Sequence, residues 1–183
     1  MKIIAIRHLP TIWNTKGRIQ GKKNIDIIPP NQIQNIKIEE NLQEYFFNYN
    51  KKQDIIVCSE LIRTQSTARA YGIYSYRIEP LLNEFDFGQL EGTNKKNIDS
   101  QLHGNWINNP KEVHLGEHIQ DLQARVIKFV KVYYKYNRVY IFGHGAWIRA
   151  LVAIFKHNDL NTMNKIQICN GDIVELKIES IGS

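Results

Sequence analysis

The sequence predicts an α/β fold: a single domain over residues 1–183, with a mainly parallel central sheet flanked by helices on both faces. Three observations predict it. Apolar runs of strand length fall at residues 2–7, 54–59 and 138–142. Between them lie longer segments whose apolar residues recur at helical spacing, and such alternation places strands in parallel. The chain has 183 residues, enough for one well-cored domain and short for two.

Residues 2–7 (Lys-Ile-Ile-Ala-Ile-Arg) form a buried strand that stops at His8-Leu9-Pro10, since the residue before a proline is biased away from regular continuation. Residues 11–30, rich in Gly, Asn and Pro, read as a long loop. A helix starts near Pro30 and runs to about Asn48 on the spacing of Ile33, Ile36, Leu42, Tyr45 and Phe46. Asp54 to Ser59 is the second buried strand, and a helix follows from Arg63 to Ala70. Residues 73–82 hold a further short strand. The segment 117–136 carries mixed signals, because its Val and Tyr favour a strand. Lys128, Lys131 and Lys135 recur at helical intervals, however, and leave Val126, Phe129, Val130 and Tyr133 on other faces; the period decides for helix. Arg138 to Phe142 is the third buried strand, ending at Gly143-His144-Gly145, and a helix runs from Ala146 to about Lys156. The tail reads as a hairpin, 166–169 and 172–178, on an Asn170-Gly171 turn.

Composition narrows the function. Hydrophobic residues make up 43% and charged residues 23%, ordinary for a soluble globular protein. The apolar run Ile3–Ile6 is too short for a signal peptide, and nothing approaches the ~18 apolar residues that span a bilayer, so a cytoplasmic protein without membrane partners is expected. Cys58 and Cys169 both sit in apolar runs and read as buried thiols, with a disulfide as the alternative. No CxxC or HxxxH pair offers a metal-ligand set, so neither metal nor other cofactor is expected. The net charge of +6 suits anionic ligands. Its lysines fall mostly in scattered pairs (Lys22-Lys23, Lys51-Lys52, Lys95-Lys96), which read as solvated surface, and no nucleic-acid motif accompanies them. The sequence leaves oligomeric state open.

Ligands of open parallel sheets bind beyond the carboxyl ends of the strands. That edge collects Arg7-His8, Ser59 through Arg63, and His144. Two imidazoles and two guanidiniums suit a phosphoryl group: guanidinium pairs with phosphate oxygens, and neutral imidazole is a nucleophile at phosphorus. A second, positively charged imidazole would stabilise charge in transfer. Gly145 and Ala146, at a helix start, would offer backbone N–H groups to the anion, and a carboxylic acid is needed for the leaving alkoxide. His103, His114, His118 and His157 read as structural histidines. Ser59 alone would pass for a helix cap and Glu84 for a loop carboxylate; it is their joint placement that singles out His8, His144, Arg7 and Arg63.

These residues carry a resemblance. Arg7-His8-Leu9-Pro10-Thr11-Ile12-Trp13-Asn14 resembles the opening Arg-His-Gly-Glu-Thr-x-x-Asn signature of the histidine phosphatase superfamily, which includes the cofactor-dependent phosphoglycerate mutases. Gly17-Arg18-Ile19-Gln20-Gly21 is similar to its next loop, and Ser59 through Ala68 to its Ser-x-Leu-x-Arg-Ala-x-x-Thr-Ala helix. Glu84-Phe85-Asp86-Phe87-Gly88-Gln89-Leu90-Glu91-Gly92 resembles the acid-bearing segment, Gly116-Glu117 and Arg125-Val126 echo later positions, and Gly143 through Arg149 matches the second-histidine motif. The matches keep family order over nearly the whole chain. The resemblance implies that His8 is phosphorylated, that Arg7, Arg63 and His144 hold the phosphate, and that Glu84 donates the proton. Asn14, Gln20, Gly21 and Gly145 become secondary contacts. Leu9 and Pro10 depart from the family's Gly and Glu, and the family's Asp after Gln-Gly aligns with either Asn24 or Asp26. The function so implied is metal-independent hydrolysis of a small phosphorylated metabolite, because the segment 93–116 is short for a mutase that shields its phosphohistidine. The alternatives are mutase-type phosphoryl transfer and a non-catalytic phosphate-binding regulatory module. The acid argues against the latter.

Overall fold

The structure, a computed structural model, describes residues 1–180. In chain order it places β1 (Lys2–Arg7), α1 (Ile12–Thr15), α2 (Gln32–Asn41), β2 (Asp54–Cys58), α3 (Ile62–Ala70), β3 (Arg77–Ile78), α4 (Ile98–Gln101), α5 (Asn105–Asn108), α6 (Ile119–Tyr133), β4 (Arg138–Gly143), α7 (Gly145–Phe155) and β5 (Ile173–Lys177). The strands form one sheet in the order β3-β2-β4-β1-β5. All neighbours run parallel except β5, which lies antiparallel on β1. Among the described residues no helix is long and apolar enough to cross a membrane.

Side-chain alternation along the strands builds two apolar layers. Ile3 and Ala5 of β1, Val57 of β2, and Val139 and Ile141 of β4 face α6 and α7, whose Phe129, Tyr133 and Trp147 are fully buried. Ile4, Ile6, Ile56, Cys58, Tyr140 and Phe142 point the other way, against Ile38 of α2 and Ala68 of α3. Strands buried on both faces must be apolar throughout, which is why β1, β2 and β4 read as continuous runs. Burying each large side chain of these layers contributes about 1.5–3 kcal/mol.

Several expected elements differ in extent. The 11–30 loop contains the short helix α1, whose N-cap Thr11 and Asn14 form a reciprocal capping box. The helix expected over 30–48 begins after the capping residue Asn31, is α-helical to Asn41 and closes with a π-helical turn over Leu42–Phe46. Ile33 and Ile36 face solvent instead of the core. The strand expected in 73–82 shrinks to Arg77–Ile78, because Pro80 lacks the N–H that would extend pairing at an edge.

The tail corrects the hairpin expectation: residues 166–169 are irregular and only Ile173–Lys177 is a strand. The Asn170-Gly171 turn does form, with the Asp172 N–H donating to the Cys169 carbonyl at 3.1 Å. Positive φ occurs at Gly171 (+81°) but not at Asn170, so the turn is of type II kind. The primed turns that suit a two-residue hairpin need positive φ at the first central residue, here Asn170. The chain instead docks on β1: the Gly171 N–H donates to the Arg7 carbonyl and the Arg7 N–H to the Asp172 carbonyl, both at 3.0 Å. Cys58 is buried as expected, whereas Cys169, beside this turn, is exposed.

Candidate active site

The strand register assembles the site. Arg7 of β1 lies opposite Gly143 of β4, and Cys58 of β2 opposite Phe142, so the three strands end within one residue of one another. The next residues, His8, His144 and Ser59, therefore meet at one edge, and the two imidazole centroids are 5.4 Å apart.

His8 is 2% exposed. Its Nδ1 lies 2.8 Å from its neighbour's carbonyl, that of Leu9, and so carries the proton and donates it there. Nε2 then holds the lone pair. It takes no protein partner among the described residues and is open to the pocket that His8 lines. Burial, reinforced by the cationic Arg63 and Arg7, pushes the ring well below its ordinary pKa of 6.5, and the hydrogen bond to Leu9 only partly opposes this. His8 is therefore neutral at pH 7, the form a nucleophile requires.

His144 departs from the expected role. It is fully buried, lies behind the pocket wall, and both ring nitrogens are engaged. Arg63 Nε donates to Nδ1 at 3.2 Å, which leaves the proton on Nε2, 2.7 Å from the Ser59 hydroxyl. Burial and then Arg63 push its pKa well below 6.5. The resting protein thus holds a neutral imidazole that orients Arg63, in place of the expected cation. Ser59 caps no helix. Its hydroxyl accepts from His144 and from the Leu61 N–H and pairs with Thr64.

Arg63, in the first turn of α3, is fully buried and also donates to the Gly21 and Lys23 carbonyls, each at 2.7 Å. Gly21 has φ +52°, and a Cβ there would overlap the Glu91 carboxylate, so this position requires glycine. Burial lowers Arg63 to about 10, which leaves it charged at neutral pH. Arg7 donates to the Ile168 carbonyl at 2.6 Å, while its buried Nε has no partner among the described residues.

Gly145 serves by lacking a side chain. A Cβ there would lie 3.2 Å from Arg7 Nε and 3.4 Å from Arg149 Nη1, so two guanidiniums converge over one glycine. The helix N-terminus is already taken: the Ala146 and Trp147 N–H groups donate to the Glu84 carboxylate at 3.2–3.3 Å. The anion expected there is therefore the protein's own acid. Glu84 is the carboxylate among the residues lining the pocket. Arg125 braces its loop, pairing with Glu117 at 2.6 Å and donating to the Leu81 and Asn83 carbonyls, which gives the Gly116-Glu117 and Arg125 motifs a structural purpose.

Asn14 and Gln20 line the pocket. Thr11 occupies their amide oxygens and leaves their N–H groups without partners among the described residues. Leu9 does not intrude: its N–H donates to Thr67 and its side chain packs beside the Gly171 turn. Pro10 accepts from the Ile28 N–H. Of the two candidates after Gln-Gly, Asn24 faces α3, where its side-chain amide oxygen accepts from the Ile62 N–H at 2.8 Å, while the Asp26 carboxylate accepts from the N–H of its neighbour Ile27.

Four residues escaped the sequence reading. Arg18, Lys95 and Arg149 all line the pocket, and Lys95 is thus more than solvated surface. Asn170 donates to the His8 carbonyl at 2.9 Å and ties the C-terminal turn to His8. The pocket, about 70 Å³, shares several of these residues with an outer cavity of about 570 Å³. Among the described residues no group of three or more His, Cys, Asp or Glu side chains is arranged to hold a metal ion.

The arrangement is therefore a neutral, aimed imidazole among cations, with one carboxyl group alongside. The histidine phosphatase superfamily (branch 1) model matches residues 3–182. A protein of Hydrogenobacter thermophilus provisionally named phosphoserine phosphatase 2 is 27% identical, covering 97% of this chain and 90% of its own length. A 2,3-bisphosphoglycerate-dependent phosphoglycerate mutase of Bartonella bacilliformis is 26% identical over 84% of this chain and 81% of its own. The solved structure of a Mycobacterium tuberculosis open-reading-frame product has the same fold, with TM-score 0.83 and 22% identity over 97% of this chain and 91% of that one.

Proposed function

Since the chain belongs to the histidine phosphatase superfamily and is an enzyme of the phosphatase class, we propose that it hydrolyses a small phosphorylated metabolite through a phosphohistidine on His8. The observation that carries this reading is the His8 ring itself. Its Nδ1 proton is committed to Leu9, and its free Nε2 opens into a pocket lined by Arg7 and Arg63.

In the first step Nε2 attacks phosphorus, the N–P bond forms and the bond to the ester oxygen breaks. Glu84 gives a proton to the departing alkoxide, which leaves as the alcohol. Water then attacks the phosphohistidine, its proton is taken up by Glu84, and His8 departs as the neutral imidazole with inorganic phosphate released. Arg7 and the two unused N–H groups of Arg63 meet the charge on the equatorial oxygens, and the N–H groups of Asn14 and Gln20 add hydrogen bonds. The guanidiniums supply the positive charge, so the reading requires no metal.

The test is rapid-quench labelling with a ³²P-phosphate monoester. Wild type should acquire acid-labile, base-stable label on His8, and His8→Ala should lose both label and turnover while keeping its circular dichroism. Turnover near wild type in His8→Ala would overturn the mechanism.

A further inference from the structure

We propose that Asn170 and Thr67 are positioning residues for the attack by His8. They pin the two ends of the His8–Leu9 peptide, and through the Leu9 carbonyl they fix which ring nitrogen of His8 holds the lone pair and where it points. The proposal rests on the phosphohistidine reading above and adds to it what aims the nucleophile.

Three hydrogen bonds surround one peptide plane. The His8 carbonyl accepts from the Asn170 side-chain amide at 2.9 Å, and the Leu9 N–H donates to Thr67 Oγ1 at 2.9 Å. The next carbonyl along, that of Leu9, accepts the His8 Nδ1 proton at 2.8 Å. This carbonyl belongs to the Leu9–Pro10 peptide, whose nitrogen carries no hydrogen and so offers no handle of its own. A residue before proline is also biased to extended backbone, which leaves Leu9 little rotation between the two planes. The direction of the Leu9 carbonyl is therefore set from the His8–Leu9 plane, held at its oxygen by Asn170 and at its nitrogen by Thr67.

Both holders are themselves fixed. Thr67 is fully buried in α3, and its hydroxyl proton goes to the Arg63 carbonyl one turn back at 2.7 Å, which leaves the oxygen's lone pairs for Leu9. Asn170 sits in the turn that docks on β1: the Gly171 N–H donates to the Arg7 carbonyl at 3.0 Å, and the Asp172 carboxylate accepts the Cys169 N–H at 2.6 Å. Asn170 Nδ2 also lies 3.4 Å from Asn14 Oδ1 and 3.4 Å from His8 Nδ1. Two elements far from His8 in sequence thus close on one peptide from opposite ends. If that plane turns, Nδ1 loses its acceptor and the ring proton is free to sit on Nε2. A protonated Nε2 has no lone pair to offer phosphorus. Neither Thr67 nor Asn170 is among the residues lining the inner phosphate pocket, so the effect falls on attack and not on phosphate binding.

The experiment makes two measurements on wild type, Asn170→Ala, Thr67→Val, Thr67→Ser and the Asn170→Ala/Thr67→Val double variant. One is the rapid-quench rate of phosphohistidine formation from nitrophenyl phosphate. The other is the tautomer of the His8 ring in ¹⁵N spectra of the resting protein, the ring being assigned by its loss in His8→Gln. Asn170→Ala and Thr67→Val should each slow phosphorylation by roughly 10- to 100-fold, the range for a misaimed reacting group. Affinity for orthophosphate should stay unchanged, and ring protonated on Nε2 should enter the spectrum. Thr67→Ser keeps the acceptor and should behave as wild type. Because both residues act through one plane, the double variant should lose much less than the product of the single losses. Asn170→Ala, on a half-exposed turn, carries the test should Thr67→Val fold poorly. Normal phosphorylation or an unaltered ring tautomer in Asn170→Ala would overturn this proposal and leave the phosphatase reading standing. So would fully multiplicative losses, or a loss confined to orthophosphate affinity, which would place the effect on Asn14. A wild type that hydrolyses the ester without forming phosphohistidine would overturn that reading and this proposal with it.

Discussion

The two central imidazoles make folding stability depend on pH in a window that few other groups share. His8 and His144 are 2% and 0% exposed, and both are held well below 6.5 by burial first and by Arg63 second. Unfolding frees both rings to take up protons at their ordinary pKa, so between pH 6.5 and the much lower folded values the unfolded chain binds more protons. Stability then rises with pH through that window and is lost as pH falls below 6.5. Between pH 7.5 and 5.5 each ring contributes about 1.4 kcal/mol of loss, so the pair contributes about 2.7 kcal/mol. Ordinary carboxylates, with pKa near 4, add little in that range. The measurement is urea unfolding followed by tryptophan fluorescence at the two pH values in phosphate-free buffer, since bound anion would stabilise the folded form. His8→Gln should halve the difference. A wild-type loss below about 1 kcal/mol, or no change on removing His8, would mean that the rings titrate normally in the folded protein and that the neutral nucleophile is wrong.

Two further outcomes probe neighbouring parts of the site. Glu84→Gln keeps the shape and one acceptor oxygen at the start of α7 but removes the acidic proton, so kcat/KM for an alkyl phosphate should fall by roughly 10²–10⁴-fold and far less for nitrophenyl phosphate, whose leaving group needs little protonation; equal losses would make Glu84 a positioning residue. Gly21→Ala forces a side chain into left-handed backbone and onto Glu91, which should cost about 1–3 kcal/mol in urea unfolding and lower kcat/KM through the carbonyl that orients Arg63. An unchanged variant would refute that dependence.

The parts of the site that the sequence discloses are those set by strand ends. Three continuous apolar runs had to be buried parallel strands, and their final residues had to meet at one edge, so Arg7, His8, Arg63 and His144 were legible before any coordinates. The charge of His144 was not, because it depends on Arg63 and Ser59, which reach it across 81 and 85 residues of chain. Lys95 looked like one of several solvated lysine pairs, since only the folding of 93–116 over the pocket brings it to Arg7 and Arg149. Asn170 was legible as a turn residue and illegible as a partner of His8. Its turn was identified correctly, but the type that forms sends the chain onto β1 instead of back along 166–169. The exposed Ile33 and Ile36 show the same limit from the other side: helical spacing identified the helix, while the burial of Ile38 and Asn41 was decided by how α2 lies on the sheet.

The way the cations are held explains how the resting site stays charged. Arg63 is fixed by the Gly21 and Lys23 carbonyls, Arg7 by the Ile168 carbonyl and Arg149 by the Asn164 amide oxygen. Neutral acceptors orient a guanidinium without cancelling it, whereas a carboxylate in any of these places would spend the charge before substrate arrived. Where the chain does place carboxylates close by, they are tied to backbone: Glu84 accepts from the N-terminus of α7, and Glu91 from the Lys22 N–H. Burying several guanidiniums that share one compensating carboxylate, Glu84, lowers the stability of the empty protein, and in the proposed reading a bound dianion would restore it. The same arrangement suppresses protonation of His8, because each guanidinium that awaits the phosphate also disfavours a third positive charge on the ring between them. In the proposed reading, phosphate affinity and the part of His8's neutrality that burial does not already enforce draw on the same guanidiniums, so a substitution that neutralises Arg63 should weaken both.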